Sequence, residues 1–351
     1  MEKDTKKQQR KLLVLGHVVY VYITTAVPVS SRTVAQEMDG CISSATVRNI
    51  MAELEEEGYI DQRHTSSGRV PTHLGYRCYV DRIKGDIRFE KKEAERLAAE
   101  YSARIRTINE VIKKTSFLIS SELRNASVVM WPNAENFFLK RIELVKVRAE
   151  TVLAVLVTMS NAVKDYIIRL EGDLAAAELE RVANYINAHY EQLPLSRISA
   201  DLKREVLIGQ GGESDFPGLA ATALRAVDRI IAEDVCNEIS LEGLEYFADD
   251  LRSGDAGMTR RIFRMFSERE DLTRLMRNEL PDRGIRTYIG RENGCEMLID
   301  CSVITCGYAL HGKTAGRIGV IGPTRMDYAH ALRTVSCLAD LVSSKLEEIN
   351  I

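Results

Sequence analysis

Arg48 and Asn49 are neighbours of the two side-chain types best suited to reading base edges, since arginine pairs bidentately with guanine and asparagine with adenine. They lie in the stretch SSATVRNIMAELEEEG, residues 43–58. In it Val47, Ile50, Met51 and Leu54 recur at helical spacing, which predicts a helix with one buried stripe. The same geometry leaves Ser44, Ala45, Arg48 and Asn49 on another face, near the helix start, with Thr46 beside them. Glu53, Glu55, Glu56 and Glu57 would repel phosphate. They fall at the far end of the helix, where they stay outside a DNA groove.

The flanking residues supply the frame such a helix needs. Ser43 is an expected N-cap, with Ile42 and Val47 at the spacing of a hydrophobic staple. Ser30 repeats the pattern between Val29 and Val34 and predicts a preceding helix opened by Arg32 and Thr33. Between the two helices Asp39-Gly40 is a stop, because glycine tolerates left-handed backbone. Helix, tight turn, helix is the arrangement whose second helix enters the major groove. Gly58 ends that helix, residues 59–63 suit a short strand, and residues 64–69 have the small polar character of a hairpin tip. Ser66, Ser67 and Arg69 are therefore expected wing contacts, with Val70-Pro71 on the returning strand. The blander reading is a helical hairpin used only for protein contacts.

At these residues the chain resembles a known family. PVSSRTVA (28–35), SSATVRNIMAELEEEGYI (43–60) and TSSGRVPTHLGYRCYVD (65–81) are similar to the winged-helix domain of the HrcA family, bacterial heat-inducible transcription repressors. Residues 284–290, 300–303 and 321–328 resemble that family's C-terminal signatures. The resemblance implies a GAF-like body, an inserted dimerisation domain and an inverted-repeat operator of the CIRCE type. It also implies heat-shock chaperone operons as targets and a GroEL-type chaperonin as partner.

Composition limits the alternatives. A chain of 351 residues has room for two or three domains with real cores. Residues 1–84 hold 12 Lys and Arg against 10 Asp and Glu, so overall charge favours DNA only weakly and the placement of cations has to steer binding. Lys6, Lys7, Arg10 and Lys11, at the start of the first helix, are placed to reach phosphate. Seven cysteines without paired spacing argue for a reducing cytoplasm and against a disulfide framework or a zinc site. The cysteines are read as small core hydrophobes, and neither metal nor cofactor is expected. The apolar run from Leu12 to Ile23 imitates a signal peptide, but Gly16 and His17 interrupt it and it is too short to span a bilayer. Leu12, Leu15, Val19, Tyr22, Ile23 and Ala26 instead form a helical stripe that would cover the helix-turn-helix. A cytoplasmic protein without membrane attachment is expected.

Farther along, Tyr76, Tyr79, Val80 and Ile83 make a helical face that ends at Gly85. Residues 90–124 follow as one long amphipathic helix through Leu97, Tyr101, Ile105, Ile108 and Ile112. The period then changes. Residues 139–147, 152–158 and 163–170 predict an antiparallel three-stranded meander, followed by helices over 174–189, 197–207 and 219–237. The remainder reads as a body interrupted by that unit: a segment at 127–131, helices near 243–252 and 258–279, strands at 285–289, 297–310 and 316–322, and a last helix over 327–348. The expected fold class is α+β multidomain. A winged helix-turn-helix head (1–85) joins an α/β body (86–138 and 238–351) interrupted by an inserted α+β unit (139–237), and the family resemblance implies that the body is GAF-like and the insert a dimerisation domain.

Two motifs imitate enzymes. Residues 307–314 satisfy the P-loop pattern G-x-x-x-x-G-K-[ST] literally, but a P-loop needs a helix to begin at its lysine. The glycine-rich run from Ala315 to Pro323 reads instead as a returning strand, making residues 311–314 a hairpin turn. Residues 209–218 are glycine-rich without a βαβ setting. Asp249, Asp250 and Asp255 lack companions for metal or acid–base work. The expected function is a non-enzymatic, dimeric, sequence-specific DNA-binding repressor. The alternative is a regulator sensing a small molecule through its body, although no polar cluster in the sequence argues for a ligand.

Overall fold

The computed structural model describes residues 2–62, 68–86, 91–102, 105, 107–132, 138–159, 163–208, 216–236, 239–246, 264, 270–278, 283–310 and 312–349. Helix α1 (Glu2–Thr25) leads into α2 (Ser31–Glu37) and α3 (Ser44–Glu56). Strands β1 (Ile60–Asp61) and β2 (Val70–Pro71) pair antiparallel. The backbone of Arg69 also bridges Val29, at 2.8 and 2.9 Å, tying the returning wing strand to the residue before the Ser30 cap. Helix α4 (His73–Ile83) follows, with Tyr76 and Val80 buried. The α2–α3 turn uses left-handed backbone at the expected Gly40, φ +70°, and also at Asp39, φ +51°.

Leu15 and Val19 of the expected α1 stripe are buried, with Tyr22 and Ile23 packed against the same core, and Val14, Val18 and Val21 widen the buried face. Ala26 is exposed with φ +58° and lies past the helix end. No helix among the described residues is long and apolar enough to cross a membrane.

The expected single helix over 90–124 is two helices, α5 (Lys91–Ser102) and α6 (Ile108–Leu123). Thr107 caps α6 from its side chain to the Glu110 N–H at 3.2 Å, and Glu110 reaches back to the Thr107 N–H. This reciprocal capping box starts a new helix where the apolar period alone would continue the old one. Strand β3 (Ala126–Met130) then enters a five-stranded antiparallel sheet. Its other strands are β7 (Ile239–Glu242), β8 (Arg286–Ile289), β9 (Cys301–Leu310) and β10 (Lys313–Pro323), in the order β7-β3-β10-β9-β8.

Helix α6 and the last helix, α11 (Tyr328–Ile349), cover one face of this sheet, and α10 (Glu270–Asn278) packs on the other through Leu272 and Met276. Most of the helices expected near 243–252 and 258–279 lie outside the described residues. Cys301 and Cys306 are buried in this region, as small core hydrophobes would be, whereas Cys41 is exposed. A single apolar cluster runs from Val14 of α1 to Leu346 of α11, so the first 86 residues pack directly onto the five-stranded sheet and its helices.

A separate cluster spans Leu139 to Ile230. Strands β4 (Leu139–Arg148), β5 (Thr151–Thr158) and β6 (Val163–Arg169) form the expected meander. Helices α7 (Ala176–Tyr190), α8 (Leu195–Ile208) and α9 (Phe216–Cys236) pack on one of its faces, where Ile142, Ala154, Leu156 and Ile168 are fully buried. The glycine-rich residues 209–215 between α8 and α9 lie outside the described residues.

Candidate nucleic-acid interface

The starts of α2 and α3 are built alike and meet. The Ser30 hydroxyl accepts from the Thr33 N–H at 3.1 Å and the Ser43 hydroxyl from the Thr46 N–H at 3.2 Å. Each cap is doubled by a hydroxyl pair, Ser30 with Thr33 at 2.8 Å and Ser43 with Thr46 at 2.9 Å. Ser31 and Ser44 then touch across the gap, 3.3 Å between hydroxyl oxygens. That contact brings two helix N-termini, each with backbone N–H groups and the positive end of its dipole, onto one surface.

The predicted residues divide by role on this surface. Arg32, Ala45, Arg48 and Asn49 are exposed. Arg32, Arg48 and Asn49 have no hydrogen-bond or ion-pair partner among the described residues. Thr33, Ser44 and Thr46 are half-buried and spend their hydroxyls on the caps and on the Ser31 contact, so they frame the surface. Beneath it, Val47, Ile50, Met51 and Leu54 are buried as the stripe requires. Ser66 and Ser67 lie outside the described residues.

Arg69 has an internal partner. Its guanidinium donates from Nε at 3.1 Å and from Nη2 at 3.0 Å to Glu55, on the acidic end of α3. Two cations of α1 are likewise bound there, contrary to the expectation that they face phosphate. Lys7 pairs with Glu53 at 2.9 Å. Lys11 is buried and donates to both carboxylate oxygens of Glu57, at 2.5 and 2.7 Å. Burial explains the difference for Lys11, since a charge withdrawn from water needs a partner at hand. Sequence reading missed Ser31, which joins the two helix starts, and Glu55, which anchors the wing. Ser31 sits inside PVSSRTVA, whereas the Glu55 partnership joins residues 14 apart and leaves no local mark.

The P-loop look-alike resolves as a hairpin. Lys313 pairs with Leu310 across the β9–β10 turn, and the strand continues to Pro323 where a phosphate-binding loop would begin a helix.

Two helix N-termini set side by side, with Arg48 and Asn49 exposed on the second helix and a two-stranded ribbon beside them, have the geometry expected of a helix-turn-helix. The comparisons with known proteins agree. The model of the HrcA protein C-terminal domain matches residues 109–332. The heat-inducible transcription repressor HrcA of Syntrophobacter fumaroxidans is 34% identical over 338 residues, covering 95% of this chain and 96% of that one. The repressor of the same name from Geobacter sulfurreducens is 34% identical over 343 residues, covering 98% and 99%. A crystal structure described as that of a hypothetical protein shares the fold, with a TM-score of 0.66 at 23% identity over 97% of this chain and 98% of the other. The chain belongs to the HrcA family of heat-inducible transcription repressors.

Proposed function

We propose that the protein is a homodimeric repressor of heat-shock chaperone genes that binds a CIRCE-like inverted repeat in double-stranded DNA. Each head (residues 1–85) reads one half-site with Arg32, Thr33, Ser44, Ala45, Thr46, Arg48 and Asn49. Ser66 and Ser67 of the wing contact the backbone, with Arg69 held back from it by Glu55. The observation that carries this reading is the Ser31–Ser44 contact that joins two helix starts, with Arg48 and Asn49 exposed and without partners among the described residues. The body is GAF-like (86–138 and 238–351), and residues 139–237 form the dimerisation domain. The family resemblance implies a GroEL-type chaperonin as the partner that maintains the active form.

The outer face of the three-stranded sheet supports the dimer. Val145, Leu153 and Ile167 lie in one rank across β4, β5 and β6, with Val157 and Val163 in a second. Ile167 is 67% exposed and Val145 50% exposed, so an apolar surface is left open that a second copy would cover. A two-fold dimer is also what an inverted repeat demands. The test is Ile167→Asp with Val145→Asp, followed by sedimentation and operator titration. The expected outcome is a folded monomer that binds a single half-site weakly. An intact dimer would remove this face from the account and leave the DNA assignment standing.

A further inference from the structure

Two arginines cross between head and body in opposite directions. Arg77 of α4 reaches Glu292, just after β8, in a bidentate pair whose Nε contact is 3.0 Å. The same guanidinium donates to the Thr287 carbonyl at 2.6 Å and to Asp81 at 3.2 Å. From the body, Arg325 donates to the Ile23 carbonyl of α1 at 3.1 Å. Ile23 lies in the last turn of that helix, where carbonyls lack helical partners and attract cations. Between the arginines, Tyr76 of the head and Tyr328 of the body pack with ring centroids 5.7 Å apart. Beside them the His73 ring lies against Gly290, leaving no room for a side chain, because a Cβ there would fall 2.3 Å from the ring.

These contacts hold the head from several directions, and a bidentate guanidinium is the most directional of them. Burial acts to raise the Glu292 pKa, but the Arg77 hydrogen bond, the Ile289 N–H and nearby positive charge outweigh it and hold the carboxyl below the usual range. The pair is therefore charged at neutral pH. Its contribution is complete above about pH 4.3 and is lost only as pH falls through the depressed folded value.

We propose that Arg77 is a positioning residue: by fixing the head on the body through Glu292 and the Thr287 carbonyl, it sets the half-site spacing that the dimer accepts. This rests on the dimeric reading above. Base contacts choose the half-site sequence, but the distance between two heads depends on how each is mounted. One added base pair moves a half-site by about 3.4 Å and turns it by about 35°, a change a rigidly mounted head cannot follow.

The experiment uses the full chain and duplexes bearing the inverted repeat selected from random DNA, with the spacer shortened or lengthened by one and two base pairs. A single half-site duplex serves as the control. Wild type should show one sharp optimum. Arg77→Ala and Glu292→Gln should flatten it, lowering the preference for the best spacer by about three- to tenfold. Half-site affinity should stay within about twofold, since the reading helix is untouched. The charge swap Arg77→Glu with Glu292→Arg should restore sharpness in part, which a general loss of stability would not. If Arg77→Ala fails to fold, Glu292→Gln and Arg325→Ala loosen the same mounting from the body side. Variants that remain dimeric with an unchanged spacer profile would overturn the proposal. A wild-type dimer with no spacing preference would also overturn it, whereas a monomeric wild type would refute the dimeric reading itself.

Discussion

The two ends of α3 differ in charge and in bonding. At its start Arg48 and Asn49 stand exposed and without partners among the described residues. Toward its end Glu53, Glu55 and Glu57 each hold a cation from another element: Lys7, Arg69 and Lys11. The acidic end, which would repel DNA, thus serves as scaffold. It ties α1 and the strand after the β1–β2 turn to α3. On the proposed function, DNA affinity should depend less on the small excess of basic residues in the head than on which cations are left without partners among the described residues.

The largest effect should come from the free end. Arg48→Ala should cost about 1–3 kcal/mol of specific binding and relax preference at one base pair per half-site. Titration against the selected operator and its single-base variants measures both. Wild-type affinity in this variant would transfer the reading to another element.

The bound end should respond in stability. Glu57→Gln leaves Lys11 buried beside a weaker partner and should cost about 1–2 kcal/mol. Hydrogen exchange at the amides of Val14 and Val18 should speed by roughly tenfold as a result. Lys11→Met should be close to neutral, because it removes the buried charge and keeps the volume. Equal penalties for the two substitutions would mean the pair itself stabilises the head.

A smaller effect, of opposite sign for binding, is expected at Glu55. Glu55→Ala releases Arg69 to phosphate and should steepen the salt dependence of binding by about one unit of slope, while Arg69→Ala should not. Should both variants leave the slope unchanged, the wing lies away from the backbone. Smallest of all, Lys7→Ala breaks an exposed pair and should shift stability by less than about 1 kcal/mol. Lys313→Ala at the β9–β10 turn should leave operator binding and melting temperature nearly unchanged.

Local signals in the sequence were legible and non-local ones were not. Ser30 and Ser43 announced both helix starts, because a cap acts on an N–H three residues away. The meander over 139–169 was equally readable from its β-branched runs and polar turns. Lys11 was misread because its partner is 46 residues distant, and nothing nearby distinguishes a buried lysine from a phosphate contact. The break before α6 was written in Thr107 and Glu110, yet the apolar rhythm running through Leu97, Tyr101 and Ile108 hid it. Strand β7 went unseen because four residues carry too little pattern, and its place is set by pairing with β3. The mounting of the head depends on Arg77 and Glu292, which are 215 residues apart, and no spacing rule connects them.

The most direct test of the account is selection of bound sequences from random DNA with the full-length protein, in parallel with Arg48→Ala. Two half-sites are expected as an inverted repeat at one fixed spacing, with information lost at a single symmetric pair of positions in the variant. An enriched motif lacking two-fold symmetry, or one identical in the variant, would contradict it.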